Sequence, residues 1–202
     1  MKKKLDVVFV LDKSGSMSGS EEATISSYNE YLLKEKKNKF ETKITTVLFS
    51  DKYNYLYERE KVSYVDRLTS KEYYVEGCTA LYDALGSSIL KMEKEDTDKV
   101  LFIIITDGYE NASREFDKKR IKTLIKKHSE WEFVYIGADI DSYATGGEIG
   151  IKKSNIANYK KDKTGTNLLF KAVGSFEDAM MCDTASSNSW KEELEEYLDK
   201  NK

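Results

Sequence analysis

Five oxygen-bearing side chains at three places in the chain have the types and spacing to share one ion. They are Asp12, Ser14 and Ser16 in Asp12-Lys13-Ser14-Gly15-Ser16, Thr79 in Gly77-Cys78-Thr79-Ala80-Leu81, and Asp107 in Thr106-Asp107-Gly108. Residues two apart in an extended stretch project the same way, so Asp12, Ser14 and Ser16 can aim their oxygens at one point. Two carboxylates brought close repel, and a shared proton or a bound cation resolves the repulsion. Carboxylates and hydroxyls together suit a hard cation such as Mg²⁺, with Mn²⁺ or Ca²⁺ as alternatives. No soft ligand is offered, which disfavours zinc and copper. Thr79 has a second reading, since it stands just before an amphipathic segment and its hydroxyl could cap that helix alone.

Such a set works only if the fold carries its members to one place. Three apolar runs rich in β-branched residues, Val7 to Leu11, Val100 to Ile105 and Phe133 to Ile136, have the pattern of strands buried on both faces of a parallel sheet. A weaker run, Ile44 to Phe49, is followed by Tyr53 to Tyr57, which can pair back on it at the sheet edge. Helical stripes separate these runs: Ile25, Tyr28 and Leu32; Leu81, Leu85, Ser88, Ile89 and Met92; Ile121, Leu124, Ile125 and His128; Leu169, Ala172, Val173, Phe176 and Met180. The expected fold class is α/β, a doubly wound, mostly parallel central sheet flanked by helices on both faces, with one antiparallel edge strand. In that order the strand ending at Asp12 neighbours the strand ending before Asp107, and open α/β sheets build their sites at such carboxyl ends. Tyr109, Glu110 and Asn111 are then expected at the rim. Residues 143–163, rich in glycine and lysine, give no clear period, although Ile156 to Tyr159 can be a short last strand. We expect residues 1–183 to form the domain and residues 184–202 a C-terminal amphipathic helical tail packed on it or appended to it. The stripe Trp190, Leu194, Tyr197 and Leu198 marks that tail, and Ser186 to Ser189 mark a flexible break before it.

With this strand and helix pattern running from roughly Leu5 to Met181, the five positions resemble the metal-ion-dependent adhesion site of von Willebrand factor A domains. The resemblance rests on Asp12-x-Ser14-x-Ser16, Thr79 in a Gly-x-Thr-Ala-Leu context and Thr106-Asp107-Gly108. It implies direct coordination by Ser14 and Ser16 and a mostly water-mediated role for Asp12. Thr79 and Asp107 would ligate directly or through water according to state. It further implies a non-enzymatic module whose open coordination position is filled by an Asp or Glu of a partner protein. A bacterial or phage chain of the intracellular type is implied too, and an ATPase or stress-response partner follows by analogy from fold.

Composition narrows the remaining classes. Lys and Arg total 33 against 36 Asp and Glu, interleaved along the 202 residues, so no basic stripe is left for a phosphate backbone and nucleic acid is not an expected partner. No stretch approaches the roughly 18 apolar residues of a membrane span. Lys2-Lys3-Lys4 before an apolar run mimics a secretory signal, but Asp6 interrupts the run and no small-residue cleavage site follows, so it reads as a core strand. Cys78 and Cys182 lack metal-type spacing and suggest no disulfide framework, which points to a cytoplasmic location. The alternative function is a metal-dependent hydrolase or phosphotransferase using Asp12. Against it, Ser14 stands where a phosphatase-type second Asp is expected, and Lys13 precedes its glycine, whereas a phosphate loop needs lysine after it. His128, the sole histidine, is expected to be structural, which leaves no triad to assemble. The tyrosines at 53, 55, 57, 64, 73 and 74 fit either a binding surface or ordinary strand packing.

Overall fold

The computed structural model describes residues 4–38, 40–138, 140–183 and 188–201. Among these, β1 (Lys4–Asp12), β2 (Glu41–Phe49), β3 (Tyr53–Lys61), β4 (Lys99–Thr106), β5 (Glu132–Gly137) and β6 (Ile156–Asn158) form one six-stranded sheet in the order β3-β2-β1-β4-β5-β6. β3 runs antiparallel to β2, and every other neighbouring pair is parallel. This is the expected doubly wound α/β arrangement.

The alternation along β1 shows why its apolar run is continuous. Leu5, Val7, Phe9 and Leu11 pack with Tyr28 and Leu32 of α1 (Glu21–Glu35) and with Leu169, Val173 and Phe176 of α5 (Lys163–Met181). Val8 and Val10 face the other way, onto Leu81, Leu85 and Ile89 of α2 (Leu81–Met92) and Ile121 and Leu124 of α3 (Lys118–Lys127). With helices covering both faces, neither register of a central strand can be polar. Asp6, the acid inside that run, is buried but lies in a bidentate pair with Arg59, Nε to Oδ1 at 2.7 Å and Nη2 to Oδ2 at 3.0 Å.

Two elements differ from the sequence expectation. β3 extends to Lys61, beyond Tyr57, through charged residues that an edge strand tolerates on its open side. Residues 142–148 form a short helix, α4 (Ser142–Glu148), which Gly146 and Gly147 hide from any propensity or stripe argument. It is started by Asp141, whose side chain accepts from the Ala144 amide at 2.9 Å. At the C-terminal end, α6 (Glu192–Lys200) follows a 3₁₀ turn in which Trp190 packs edge-on against Phe176, at 5.4 Å between centroids. Trp190 Nε1 donates to the Ser154 carbonyl at 3.0 Å, so this turn lies against α5 and the segment leading into β6. The expected break at Ser186 to Ser189 falls largely on residues 184–187, which lie outside the described residues. No helix among the described residues is long and apolar enough to cross a membrane.

Candidate metal centre

β1 and β4 are neighbours with Leu11 opposite Ile105, so Asp12 and Thr106-Asp107 emerge side by side at one edge of the sheet. Asp12 is fully buried and well held. Its Oδ1 accepts from the Ser14 amide at 2.7 Å, its Oδ2 from Thr106 Oγ1 at 2.5 Å, and its carbonyl from the Tyr73 hydroxyl at 2.6 Å. Burial pushes its carboxyl up from 3.8 to about 6; the Thr106 and Ser14 hydrogen bonds oppose that rise and the nearby Asp107 charge adds to it.

Past Asp12 the chain turns into a short 3₁₀ segment, Gly15–Met17, which brings Ser16 Oγ within 3.0 Å of Ser14 Oγ. Thr79 arrives from a separate loop and donates to Ser14 Oγ at 3.2 Å. Backbone bonds lock that loop in register: Gly15 N to Gly77 O at 3.0 Å, Glu76 N to Lys13 O at 2.8 Å and Ala80 N to Ser50 O at 2.8 Å. Gly77 is required there. Its φ is +67°, and a Cβ would stand 2.3 Å from Asp51 Oδ2, while Asp51 Oδ1 accepts from the Cys78 amide at 2.7 Å.

The two readings of Thr79 are separated by what serves the start of α2. Glu110 Oε2 accepts from Tyr82 N at 2.9 Å and Ser113 Oγ from Asp83 N at 3.0 Å, while the Thr79 hydroxyl turns to Ser14. Two of the expected rim residues, half-buried Glu110 and exposed Asn111, also brace this loop. Glu110 also accepts from the amides of Ala112 and Ser113 at 3.0 and 2.7 Å, and Asn111 Oδ1 accepts from Thr79 N at 2.9 Å. Tyr109 projects outward, 57% exposed.

Asp107 completes the cluster. It is 6% exposed, and its Oδ1, buried, has no hydrogen-bond partner among the described residues. Gly108 closes the space next to it, since a Cβ there would lie 2.7 Å from Thr79 Oγ1 and 3.1 Å from Ser16 Oγ. The structure therefore links all five sequence-predicted positions through direct or one-residue contacts. A donorless buried carboxylate oxygen, on the residue before a glycine that abuts the Thr79 and Ser16 hydroxyls, completes an oxygen set of the kind that a hard cation fits. Among the described residues no group of three or more His, Cys, Asp or Glu side chains could hold a metal, so any ion here would depend on the hydroxyls.

Lys161 is the residue the sequence did not single out. Its ammonium lies 2.7 Å from Asp107 Oδ2 and also donates to the Ser16 carbonyl. The only signal was the charged run Lys160 to Lys163 in the segment without period, and such a run reads equally as a solvated surface. His128 is buried at the end of α3, stacked on Trp131 at 3.9 Å and bonded through Nε2 to Glu93 at 2.7 Å. It sits beside the start of β5, at the other end of the sheet from Asp12, and cannot serve as a base there. The tyrosine group divides: Tyr73 is buried, Tyr53 and Tyr55 pack against the core, and Tyr64 and Tyr74 are exposed.

No family model matches the sequence, and no curated protein sequence is similar to it. Solved structures do match. The vWF domain of the type V pili tip protein Mfa5 from Porphyromonas gingivalis superposes with a TM-score of 0.68 at 11% identity, over 90% of this chain and 97% of that one. The von Willebrand factor type A structure from Catenulispora acidiphila gives 0.63 at 13% identity, over 91% of this chain and 43% of that one. Proximal thread matrix protein 1 from the mussel byssus gives 0.61 at 16% identity over 91% of this chain, which spans 46% of the mussel chain. That mussel protein has also been solved with a zinc-occupied MIDAS (metal-ion-dependent adhesion site) motif, so within this fold ligand hardness does not by itself exclude zinc. Identities this low speak to architecture and leave function to the site. In architecture, this chain has the fold of the von Willebrand factor A domains.

Proposed function

We propose that the chain is a metal-dependent protein-binding module that docks an acidic side chain of a partner protein at the Asp12–Asp107 edge of the sheet. Ser14, Ser16, Thr79 and Asp107 would hold the ion, and Asp12, already engaged by Ser14 N and Thr106, would steady the ligands around it. A hard dication held by so few protein charges stays electrophilic and bonds strongly to an incoming carboxylate. Mg²⁺ is the expected ion, followed by Mn²⁺ and Ca²⁺; zinc belongs in the same titration because of the mussel protein. The observations that carry the reading are the clustering of the Ser14, Ser16 and Thr79 hydroxyls and, at the end of the neighbouring strand, a buried Asp107 oxygen that has no donor among the described residues. Tyr109, exposed at the edge of the cluster, offers the partner an amphipathic contact. Free, exposed Cys78 and Cys182 fit a reducing cytoplasm.

The test has two arms. Calorimetric titration with Mg²⁺ and Mn²⁺ should give saturable binding to one site in the wild type and none in Asp107→Ala. Capture of the partner from native extract should depend on the cation and disappear with chelator, in Asp12→Ala and in Asp107→Ala, while far-UV circular dichroism stays unchanged. Partner binding that survives both chelation and these substitutions would overturn the proposal.

A further inference from the structure

We infer that Lys161 is a tethered cation that competes with the divalent ion for Asp107 and so sets how readily the site loads; this rests on the metal-binding reading above. Lys161 stands just before α5, and its side chain, 19% exposed, reaches back across the cluster. The ammonium is 2.7 Å from Asp107 Oδ2 and donates to the backbone carbonyl of Ser16. It thus occupies one oxygen of the carboxylate that would bind the ion and ties down the loop that carries Ser16. The neighbouring Lys160 points elsewhere, with its Nζ 2.6 Å from the Asn201 carbonyl. The contact is therefore made by one particular lysine of the charged run.

Electrostatics makes the two cations exclusive. An ammonium and a dication on the same buried carboxylate would stand only a few ångströms apart in a weakly screened setting, where like charges repel strongly. Loading therefore requires Lys161 to leave. Its backbone need not move, because Asp162 is fixed as the cap of α5, Oδ1 accepting from Gly165 N at 2.7 Å and Oδ2 from the Tyr197 hydroxyl at 3.1 Å. The four-carbon stem of lysine can swing the charge into solvent by rotamer changes alone. When a competent state is populated only a fraction of the time, apparent affinity falls by that fraction; a lysine in place nine-tenths of the time weakens cation binding about tenfold.

Lys161→Met keeps the stem and removes the charge. Titrated with Mn²⁺ and Mg²⁺ by calorimetry, the full-length variant is expected to bind about tenfold more tightly than the wild type. An unchanged or weaker affinity in a folded Lys161→Met chain overturns the competitor role and leaves the metal site standing. No binding by either chain overturns the metal-binding reading and this inference together. A second measurement needs no variant: amine acetylation of wild-type Lys161, followed by mass spectrometry, should accelerate several-fold as Mg²⁺ saturates the site, with Lys160 as internal reference. Equal labelling rates with and without Mg²⁺ would also overturn it.

Discussion

Asp12 and Asp107 at the sheet edge, and Glu35 and Glu177 between α1 and α5, are acids removed from water in pairs, yet their surroundings differ in kind. Around the first pair lie the hydroxyls of Ser14, Ser16, Thr79 and Thr106 and the ammonium of Lys161. Glu177 is fully buried and Glu35 is 2% exposed; the Tyr31 hydroxyl donates to Glu177 Oε2 at 2.5 Å, and Glu177 Oε1 has no donor among the described residues. Burial first, then the Glu35 charge, holds the Glu177 carboxyl well above the usual carboxylate range, so a proton relieves the repulsion there. The comparison teaches that close carboxylates alone do not make a metal site. What distinguishes the sheet edge is that its neighbours bring several hydroxyl oxygens and a positive charge, whereas the helix interface brings a phenol on Glu177 and the Asn38 amide on Glu35.

The largest expected difference is in cation affinity. Asp107→Ala should lower Mg²⁺ affinity by more than about 100-fold, as loss of a charged ligand from a sparse set requires. Glu177→Gln should leave it unchanged. If both substitutions weaken binding alike, the effect is on the fold and the distinction between the pairs collapses. Calorimetry on the two variants in parallel decides this.

Stability against pH comes next. The folded-state pKa of Asp12 is raised from 3.8 to about 6, so the folded chain retains a proton that the unfolded chain releases. That contribution is complete below about pH 4 and is lost as pH rises through about 6; two pKa units correspond to something on the order of 3 kcal/mol. Glu177, also raised, acts with the same sign, its contribution fading as pH climbs above the ordinary carboxylate value. Urea unfolding should therefore show a metal-free chain that weakens from pH 4 upward. Asp12→Asn should flatten the lower part of that slope and Glu177→Gln the upper part. Saturating Mg²⁺ at pH 8 should restore stability in wild type and in Glu177→Gln but not in Asp12→Asn. Full rescue of Asp12→Asn would show that the Asp12 carboxylate is not needed to steady the ligands.

The same contrast separates the residues whose roles show in the sequence from those whose roles do not. Asp12 and Asp107 were legible because each follows a β-branched run that reads as a buried strand, and strand ends have fixed places in a doubly wound sheet; Thr79 follows no such run and stood out only by its place just ahead of α2. The expected neighbouring of β1 and β4 is what brings Asp12 next to Thr106. Glu35 and Glu177 were not legible: each sits in a helix where an acid is ordinary, and only the packing of α1 on α5 makes them face each other. Lys161 was hidden for a related reason, because a lysine run carries no information about which member folds back. The committed roles of Glu110 and Asn111 as braces for Thr79 and α2 likewise depend on a loop path that spacing does not give.

The smallest effects come from the two phenols that serve these regions. Tyr31 donates to a carboxylate oxygen, Tyr73 to the backbone carbonyl of Asp12 at 2.6 Å. A hydrogen bond to an ionised acid is worth more than one to a neutral group, so Tyr31→Phe should cost about 2 kcal/mol at a pH where Glu177 is ionised and about 1 kcal/mol, like Tyr73→Phe, where it is protonated. The costs should also differ in pH dependence, because Glu177 changes its protonation and a carbonyl does not. Tyr73→Phe should lower Mg²⁺ affinity little, since the Asp12 carboxylate is held independently by Ser14 N and Thr106 Oγ1. A loss of affinity in Tyr73→Phe much larger than its loss of stability would mean that the phenol, through the Asp12 backbone, positions the site rather than merely supporting the fold.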